Sequence, residues 1–231
     1  MTETDATPDA DALLDAALMH VAFDGWSETA FKAAVADTGM DPVLARSLCP
    51  RGAVDLAMAF HRRGDDAMVE RLAATDMTGM RFRDKVALAV RLRLEAVEDR
   101  EAVRRGTTLF ALPMHAADGA RLIWGTADRI WTALGDTSDD VNWYTKRATL
   151  SGVYSATVLY WLGDDSLDHQ ATWEFLDRRI DDVMRIEGLK ASARKNPLLS
   201  RLMAGPDMVL SRIRAPRAAA DIPGQWGGKG R

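Results

Sequence analysis

The sequence of 231 residues predicts an all-α protein with a three-helix head and a larger helical bundle, about nine to ten helices in all. Apolar residues recur at spacings of three and four along most of the chain, and no segment shows strand-like alternation. Helix start and stop signals bound these segments and leave short loops between them.

Composition and charge narrow the class of protein. The chain is 47% hydrophobic and 28% charged with a net charge of −4, which is typical of a soluble globular protein and not of a nucleic-acid-binding polycation. Its single cysteine, Cys49, excludes an intramolecular disulfide and a Cys-based zinc cluster. The acidic N-terminus lacks signal and transit features, and the longest uncharged run, 148–163, is shorter than the roughly 20 residues of a membrane span. We therefore expect a cytosolic protein, or one that lies on a membrane surface.

Residues 8–50 predict a head of the helix-turn-helix type. A proline at the first helical position starts one helix, Ser27 caps a second, and Asp41 caps a short third. The last two are joined by a turn at Gly39, as in helix-turn-helix motifs. Residues 1–50 contain nine acidic and two basic side chains, whereas each contact with a DNA phosphate needs a cation. We therefore predict that the head binds no nucleic acid.

Residues 51–196 predict the bundle. Its helices are expected over residues 50–72, 81–104, 120–134, 142–161 and 167–188. Gly64 is predicted to weaken the first of these helices, and Gly106 to end the second. The charged residues of the second, Arg93 among them, are expected to form a solvated face. The apolar stretch 109–112 predicts either one buried turn or the lip of a cavity.

The stretch GDTSDDVNWYTKRATLSGVYSATVLYW, which begins at Gly135, predicts an acidic loop followed by the central helix of the bundle. One arc of this helix carries large residues: Trp143, Arg147, Leu150, Tyr154, Val158 and Trp161. A second arc of small residues, Gly152 among them, is expected to let another backbone approach closely.

The first turn of this central helix predicts a contact surface. It brings together Asp140, Trp143, Tyr144 and Arg147, and clusters of aromatic residues and arginine are enriched at protein interfaces. The alternative is that Trp143 belongs to the core and Tyr144 is its half-buried neighbour.

Large apolar residues gather in the second half of the chain and predict either a ligand cavity or an ordinary core. The candidates for contact with a lipid are Leu109, Phe110, Leu112, Trp124, Trp131, Tyr154, Trp161 and Trp173. Sites for elongated apolar ligands are built from such residues, and so are tryptophan-rich cores. The sequence alone does not distinguish a ligand cavity from an ordinary core.

Catalytic and metal-binding motifs are missing from the sequence. The four histidines have no partners at ligand spacing, and no nucleophile elbow, phosphate-binding loop or dinucleotide-binding turn occurs. We predict a protein without enzymatic activity, metal or cofactor.

The chain from Arg185 onward is basic, with ten basic and three acidic residues. Residues 197–214 predict an amphipathic helix, and residues 215–231 a flexible tail. The apolar side chains expected to enter a membrane are Leu198, Leu199, Leu202, Met203, Leu210 and Ile213. A basic amphipathic helix can lie in a lipid interface. The alternative is a terminal helix docked on the bundle.

The motif GD-x-S-x-D-x-NWYTKR-x-x-L, together with W-x-FLDRRIDDVM starting at Trp173, resembles the ubiquinone (coenzyme Q) biosynthesis accessory family of lipid-binding proteins, the Coq-nine family, in a bacterial-type form. The resemblance is close over residues 105–190 and looser over residues 10–104. It implies a TetR-like fold, and the acidic charge of the head indicates that its helix-turn-helix no longer binds DNA.

The resemblance also implies a function. The bundle cavity would hold an isoprenoid quinone intermediate or a phospholipid, and the basic tail helix would reach the membrane. The patch of Asp140, Trp143, Tyr144 and Arg147 would dock demethoxyubiquinone hydroxylase, with the acidic loop taking part if Trp143 is buried. We also expect a homodimer. The alternatives are a TetR-type transcriptional regulator that senses an apolar ligand, and a purely structural dimerisation module.

Overall fold

The computed structural model describes residues 8–195 and 214–216. Within these ranges the protein has nine α-helices, a 3-10 turn at Leu167–His169 and no strand, so that the predicted all-α class is confirmed. The helices are α1 (Pro8–Asp24), α2 (Glu28–Thr38), α3 (Pro42–Leu48), α4 (Ala53–Ala74), α5 (Phe82–Glu95), α6 (Arg100–Ala111), α7 (Ala116–Ala133), α8 (Val141–Leu162) and α9 (Gln170–Lys195).

The head helices α1 to α3 begin and end at the signals expected from the sequence. The Ser27 hydroxyl accepts a hydrogen bond from the Ala30 amide at 3.2 Å, and the Asp41 carboxylate caps α3 in the same way. Gly39 ends α2 with φ of 63°, a left-handed conformation that favours glycine. These caps fix where each short helix starts and therefore how α2 and α3 are joined.

The core of the head continues into the bundle. Leu13, Leu14 and Phe31 pack against Leu56 of α4 and Ala102 of α6. The Trp26 indole N–H also donates a hydrogen bond to the carbonyl of Ala102 at 3.0 Å. Head and bundle are thus joined through α4 and α6.

The second core is built around α8, which packs against α7 and α9. Leu150, Tyr154 and Trp161 are buried on the arc that the sequence indicated. Among the described residues, no other backbone approaches the small-residue arc at Gly152, which is exposed and where an added Cβ would meet none of their atoms within 4 Å.

Two glycines have roles other than those expected. The helix predicted over residues 81–104 is two helices, because Asp99 caps α6 by accepting hydrogen bonds from the amides of Glu101 and Ala102. Gly106 therefore lies inside α6, where a Cβ would be 3.5 Å from the Trp26 indole nitrogen. Gly64 does not interrupt α4. Because it has no side chain, it leaves room for the Arg93 guanidinium; a Cβ at this position would lie only 2.5 Å from that group.

No helix in the described ranges is long and apolar enough to cross a membrane. Most of the predicted amphipathic helix over residues 197–214, together with most of the tail, lies outside the described residues. So do all the side chains that we expect to enter a membrane: Leu198, Leu199, Leu202, Met203, Leu210 and Ile213.

Candidate functional site

An apolar cavity of about 410 Å³ lies between α4, α5, α6, α7 and α8. Its walls are mostly aliphatic and aromatic, and include Phe60, Leu94, Val97, Phe110, Ile123 and Val158. Leu159 also lines the cavity and is 61% exposed, so the cavity reaches the surface near the end of α8. This size and lining are typical of sites for small molecules.

One wall of the cavity is polar. Five side chains at this wall form what we call the polar cluster: His61, Asp65, Arg93, Thr126 and Tyr154. Of these, His61, Arg93 and Tyr154 line the cavity. Arg93 Nε donates to Asp65 Oδ1 at 2.5 Å, and its Nη2 donates to the carbonyl of His61 at 2.9 Å. Thr126 Oγ1 lies 2.9 Å from the same Asp65 oxygen and 2.8 Å from His61 Nε2. A hydroxyl has one proton to donate, so Thr126 gives it to the carboxylate and His61 Nε2 is the donor to Thr126.

The polar cluster carries no net charge at neutral pH. Burial, together with the nearby positive charge of Arg93, lowers the pKa of His61 to about 4 against the opposing effect of Asp65. Burial raises the pKa of the Tyr154 phenol, so that it stays protonated. The remaining charges, on Arg93 and Asp65, form a pair in which each side chain is 4% exposed.

Of the eight side chains predicted to contact a lipid, Phe110 and Tyr154 line the cavity. Leu109 packs against the core of the head, and Leu112 is exposed at the end of α6. Trp161 is buried in the core of the bundle.

The other three predicted lipid contacts are also outside the cavity wall. Trp131 stacks on Phe82 with ring centroids 5.4 Å apart, and Trp173 packs against the core of the bundle. Trp124 lies beside Trp143 at 5.9 Å. These rings fill interfaces between helices, so a concentration of tryptophan did not mark the cavity.

Sequence reasoning missed the polar cluster. The prediction that Arg93 lies on a solvated face is wrong, because its side chain is buried. A signal was present: Val86, Ala89, Val90 and Arg93 are spaced by three, one and three, which places the arginine on the buried face of α5.

The predicted contact residues gather at the start of α8. Trp124, Trp143 and Tyr144 form what we call the aromatic patch; the rings of Trp143 and Tyr144 meet edge to face at 4.8 Å, and both residues are half-buried. Asp140 caps α8 by accepting a hydrogen bond from the Asn142 amide at 2.9 Å.

Arg147 lies beneath the patch rather than on it. Its side chain is 3% exposed, and its guanidinium contacts Asp128 at 2.5 Å and Asp136 at 3.0 Å. Burial alone would raise the pKa of Asp136, but hydrogen bonds from Lys146, Ser138 and Arg147 lower it to about 2. Arg147 is therefore a buried charge that supports the aromatic patch from beneath. It was predicted to be part of the contact surface, but its side chain is buried and offers little surface to a partner.

A short part of the C-terminal segment contacts the same region. The Ala215 amide donates to the Asp139 carbonyl at 2.9 Å, and the Tyr144 hydroxyl donates to the Arg214 carbonyl at 3.3 Å. Residues 214–216 therefore lie against the acidic loop that precedes α8.

In the part of the chain that the structure describes, no three His, Cys, Asp or Glu side chains come together as a metal site would require. The acidic pairs have structural contacts instead. Asp164, for example, accepts hydrogen bonds from the Thr172 amide at 2.9 Å and hydroxyl at 2.5 Å, which hold its pKa well below its usual range.

The second half of the chain matches a known protein family. The COQ9 family model matches residues 116–187, which contain the aromatic patch and part of the cavity wall. The ubiquinone biosynthesis protein COQ9, mitochondrial, of Drosophila melanogaster is 33% identical over 180 residues, which are 76% of this chain and 55% of that protein. The chain belongs to the COQ9 family.

Further COQ9 relatives show the same extent of similarity. The probable ubiquinone biosynthesis protein coq9, mitochondrial, of Dictyostelium discoideum is 29% identical over 184 residues, 75% of this chain and 59% of that protein. The Homo sapiens protein is 28% identical over 185 residues, 75% of this chain and 57% of its own length. The chain thus spans less than two thirds of these relatives.

The fold of this COQ9 family member is also found in a regulator. A TetR transcriptional regulator from Nitrosomonas europaea superposes with a TM-score of 0.62 at 19% identity, over 75% of this chain and 96% of that one. The likeness concerns the fold, and it confirms the TetR-like arrangement of head and bundle.

Proposed function

We propose that the protein is a non-enzymatic accessory protein of ubiquinone biosynthesis that holds an isoprenoid quinone intermediate and presents it to demethoxyubiquinone hydroxylase. Its COQ9 relatives are named ubiquinone biosynthesis proteins, which supports the pathway. The observation that carries the proposal is the apolar cavity of about 410 Å³ in the bundle.

The cavity suits a prenyl chain for a physical reason. Transfer of apolar surface from water to an apolar environment is favourable by about 25 cal/mol per Å², so a prenyl chain leaves a bilayer readily only when other apolar walls replace the lipid. Phe60, Phe110 and Val158 offer such walls, and the opening beside Leu159 offers a route for the chain.

The aromatic patch is the proposed docking surface for the hydroxylase. Trp143 and Tyr144 are half-buried, so each keeps part of its ring available to a partner, and Asp140 adds a carboxylate at their side. Half-buried aromatic residues are frequent among the side chains that dominate binding energy. Arg147 contributes by holding Trp143 from beneath.

Binding of purified hydroxylase to the full chain tests this surface. Tyr144→Ala should weaken binding by about tenfold or more, the typical cost of removing an interface aromatic residue. Tyr160→Ala is the matched control, because Tyr160 is an exposed tyrosine at the opposite end of the same helix. Equal binding by both variants and the wild type would rule out the patch as the docking surface.

We also propose that the protein is cytoplasmic, that its basic segment 197–214 binds a membrane surface, and that it forms a homodimer. Flotation of the full chain with anionic vesicles should exceed that of a chain ending at residue 196, because basic amphipathic segments are drawn to anionic headgroups. Equal flotation would refute the membrane role of the segment. Sedimentation equilibrium would report the dimer.

A second candidate is a TetR-type regulator that senses an apolar ligand, which the likeness of fold favours. Its head offers few cations to DNA. Arg46, the basic residue of α3, contacts the Glu28 carboxylate at 2.5 Å and lies over the Phe31 ring. We therefore favour the accessory role.

A further inference from the structure

We propose that residues 214–216 are a built-in competitor for the docking surface, and that they must leave Tyr144 and the acidic loop before a partner binds there. The inference rests on the proposed function, because it adds a regulatory contact to the same aromatic patch. The competitor is a segment of this chain itself, Arg214-Ala215-Pro216, which joins the basic segment 197–214 to the tail.

The competing segment is held on this surface by two hydrogen bonds and an ion pair. The Tyr144 hydroxyl donates to the Arg214 carbonyl at 3.3 Å, and the Ala215 amide donates to the Asp139 carbonyl at 2.9 Å. The Arg214 guanidinium also lies 4.0 Å from the Asp139 carboxylate. The segment therefore contacts the acidic loop and the aromatic patch at the same time.

The competing segment occupies the part of Tyr144 that a partner would use. The centre of the Tyr144 ring lies 4.8 Å from that of Trp143 and 6.4 Å from that of Trp124, whereas its hydroxyl contacts Arg214. A tyrosine at an interface typically gives its ring to apolar contacts and its hydroxyl to a hydrogen bond. While the Arg214 carbonyl accepts that hydrogen bond, the hydroxyl has no proton to donate to a partner. The two occupants therefore compete for one group.

The docked state is weak enough to be reversed. A hydrogen bond of 3.3 Å is long for two oxygen atoms, and the ion pair joins side chains of Arg214 and Asp139 that are 69% and 86% exposed. Pro216 offsets part of the ordering cost, because a residue that precedes proline is biased towards extended backbone. We expect the segment to be docked about half to nine-tenths of the time, which raises the apparent dissociation constant of a partner about two- to tenfold.

Binding of purified hydroxylase to the full chain, without membranes, tests the competition. Arg214→Glu sets two carboxylates against each other at Asp139, and Ala215→Pro removes the amide proton that the Asp139 carbonyl accepts. Both variants should free the surface and tighten binding about two- to tenfold. Arg185→Glu makes the same change of charge at an exposed residue of α9, and should bind like the wild type.

Hydrogen exchange at the Ala215 amide, followed by NMR, measures the docked state without any partner. The wild type should exchange about two- to tenfold more slowly than Arg214→Glu, after correction for the intrinsic rates of the two sequences. This factor should equal the gain in hydroxylase binding, because both report the fraction of chains in which the segment is docked. Saturating hydroxylase should bring the exchange in the wild type to the rate of Arg214→Glu.

Any of four results would overturn the inference. If the wild type binds hydroxylase and both Arg214→Glu and Ala215→Pro bind no tighter, the segment does not compete, and the docking surface itself stands. Free exchange of the Ala215 amide in the wild type would show that the segment is not docked. Slower exchange on addition of hydroxylase would show that the segment belongs to the complex. Failure of every chain to bind hydroxylase would refute the docking function, and the inference with it.

Discussion

The guanidinium of Arg147 lies 4.0 Å from the centre of the Trp143 ring, although its side chain is almost wholly buried. The same group is paired with the Asp136 carboxylate, which is 3% exposed. A cation held against the inner face of an indole leaves the rest of that ring available, and such contacts strengthen when water is excluded. The half-buried state of Trp143 thus depends on a charged residue beneath it.

Replacement of Arg147 should therefore damage stability and the aromatic patch together. Arg147→Met keeps the volume but leaves the buried Asp136 with Lys146 as its remaining cation, and breaking a buried pair typically costs about 3–5 kcal/mol. Urea unfolding should show this loss, and the fluorescence of Trp143 should shift to that of a more exposed indole. Arg129→Met breaks a surface pair with Asp66 and should cost no more than about 1 kcal/mol. Similar losses for both variants would contradict the account.

Two glycine-to-alanine substitutions should have opposite signs. Gly64→Ala forces a Cβ to within 2.5 Å of the Arg93 guanidinium, and should destabilise the protein by displacing Arg93 from Asp65. Gly152→Ala adds a Cβ on an exposed helix face, with no atom of the described residues within 4 Å, and should stabilise the protein by about 0.5–1 kcal/mol. Thermal unfolding of both variants checks the pair. A stabilised Gly64→Ala variant would show that Arg93 does not need this space.

Stability should fall between pH 6.5 and pH 4 because of His61. Its pKa is about 4 in the folded protein against 6.5 for an ordinary histidine, so in this window the unfolded chain binds the extra proton. The free energy of unfolding then decreases as the pH falls, by about 3 kcal/mol over the window for this group. Urea unfolding at several pH values should show a flatter profile for His61→Gln. An unchanged slope in His61→Gln would refute the assignment.

The head should not bind DNA. Its acidic surface repels phosphates, and Arg46 is already paired with Glu28. A gel-shift experiment with duplex DNA should show no shift at submicromolar protein in low salt. A shift that disappears on raising the salt concentration would revive the regulator reading and count against the accessory role.

The fold could be predicted because its signals are local. Ser27, Gly39 and Asp41 act on their own backbone within three residues, so caps and turns are legible in the sequence. The missed break between α5 and α6 has a cap of the same kind at Asp99, which dense surrounding charges concealed.

The cavity could not be predicted because it depends on contacts between distant residues. His61 meets Thr126 across 65 positions, and Arg93 meets Asp65 across 28. Sequence composition pointed instead to the tryptophans, which fill interfaces between helices. The aromatic patch was easier to locate, since Trp143 and Tyr144 are adjacent on α8. The depth of Arg147 depends on Asp128 and Asp136 and was visible only in the fold.

The most direct test of the central claim is native mass spectrometry with lipid extraction, on the full chain purified from a ubiquinone-making host. The wild type should carry a neutral prenyl quinone or quinone precursor, whereas Ser155→Trp, which fills the cavity, should not. Gly152→Trp adds the same side chain to the open face of the same helix and should keep the ligand. A wild-type chain that is free of lipid and acquires none from liposomes, or an equal lipid load in Ser155→Trp, would contradict the account.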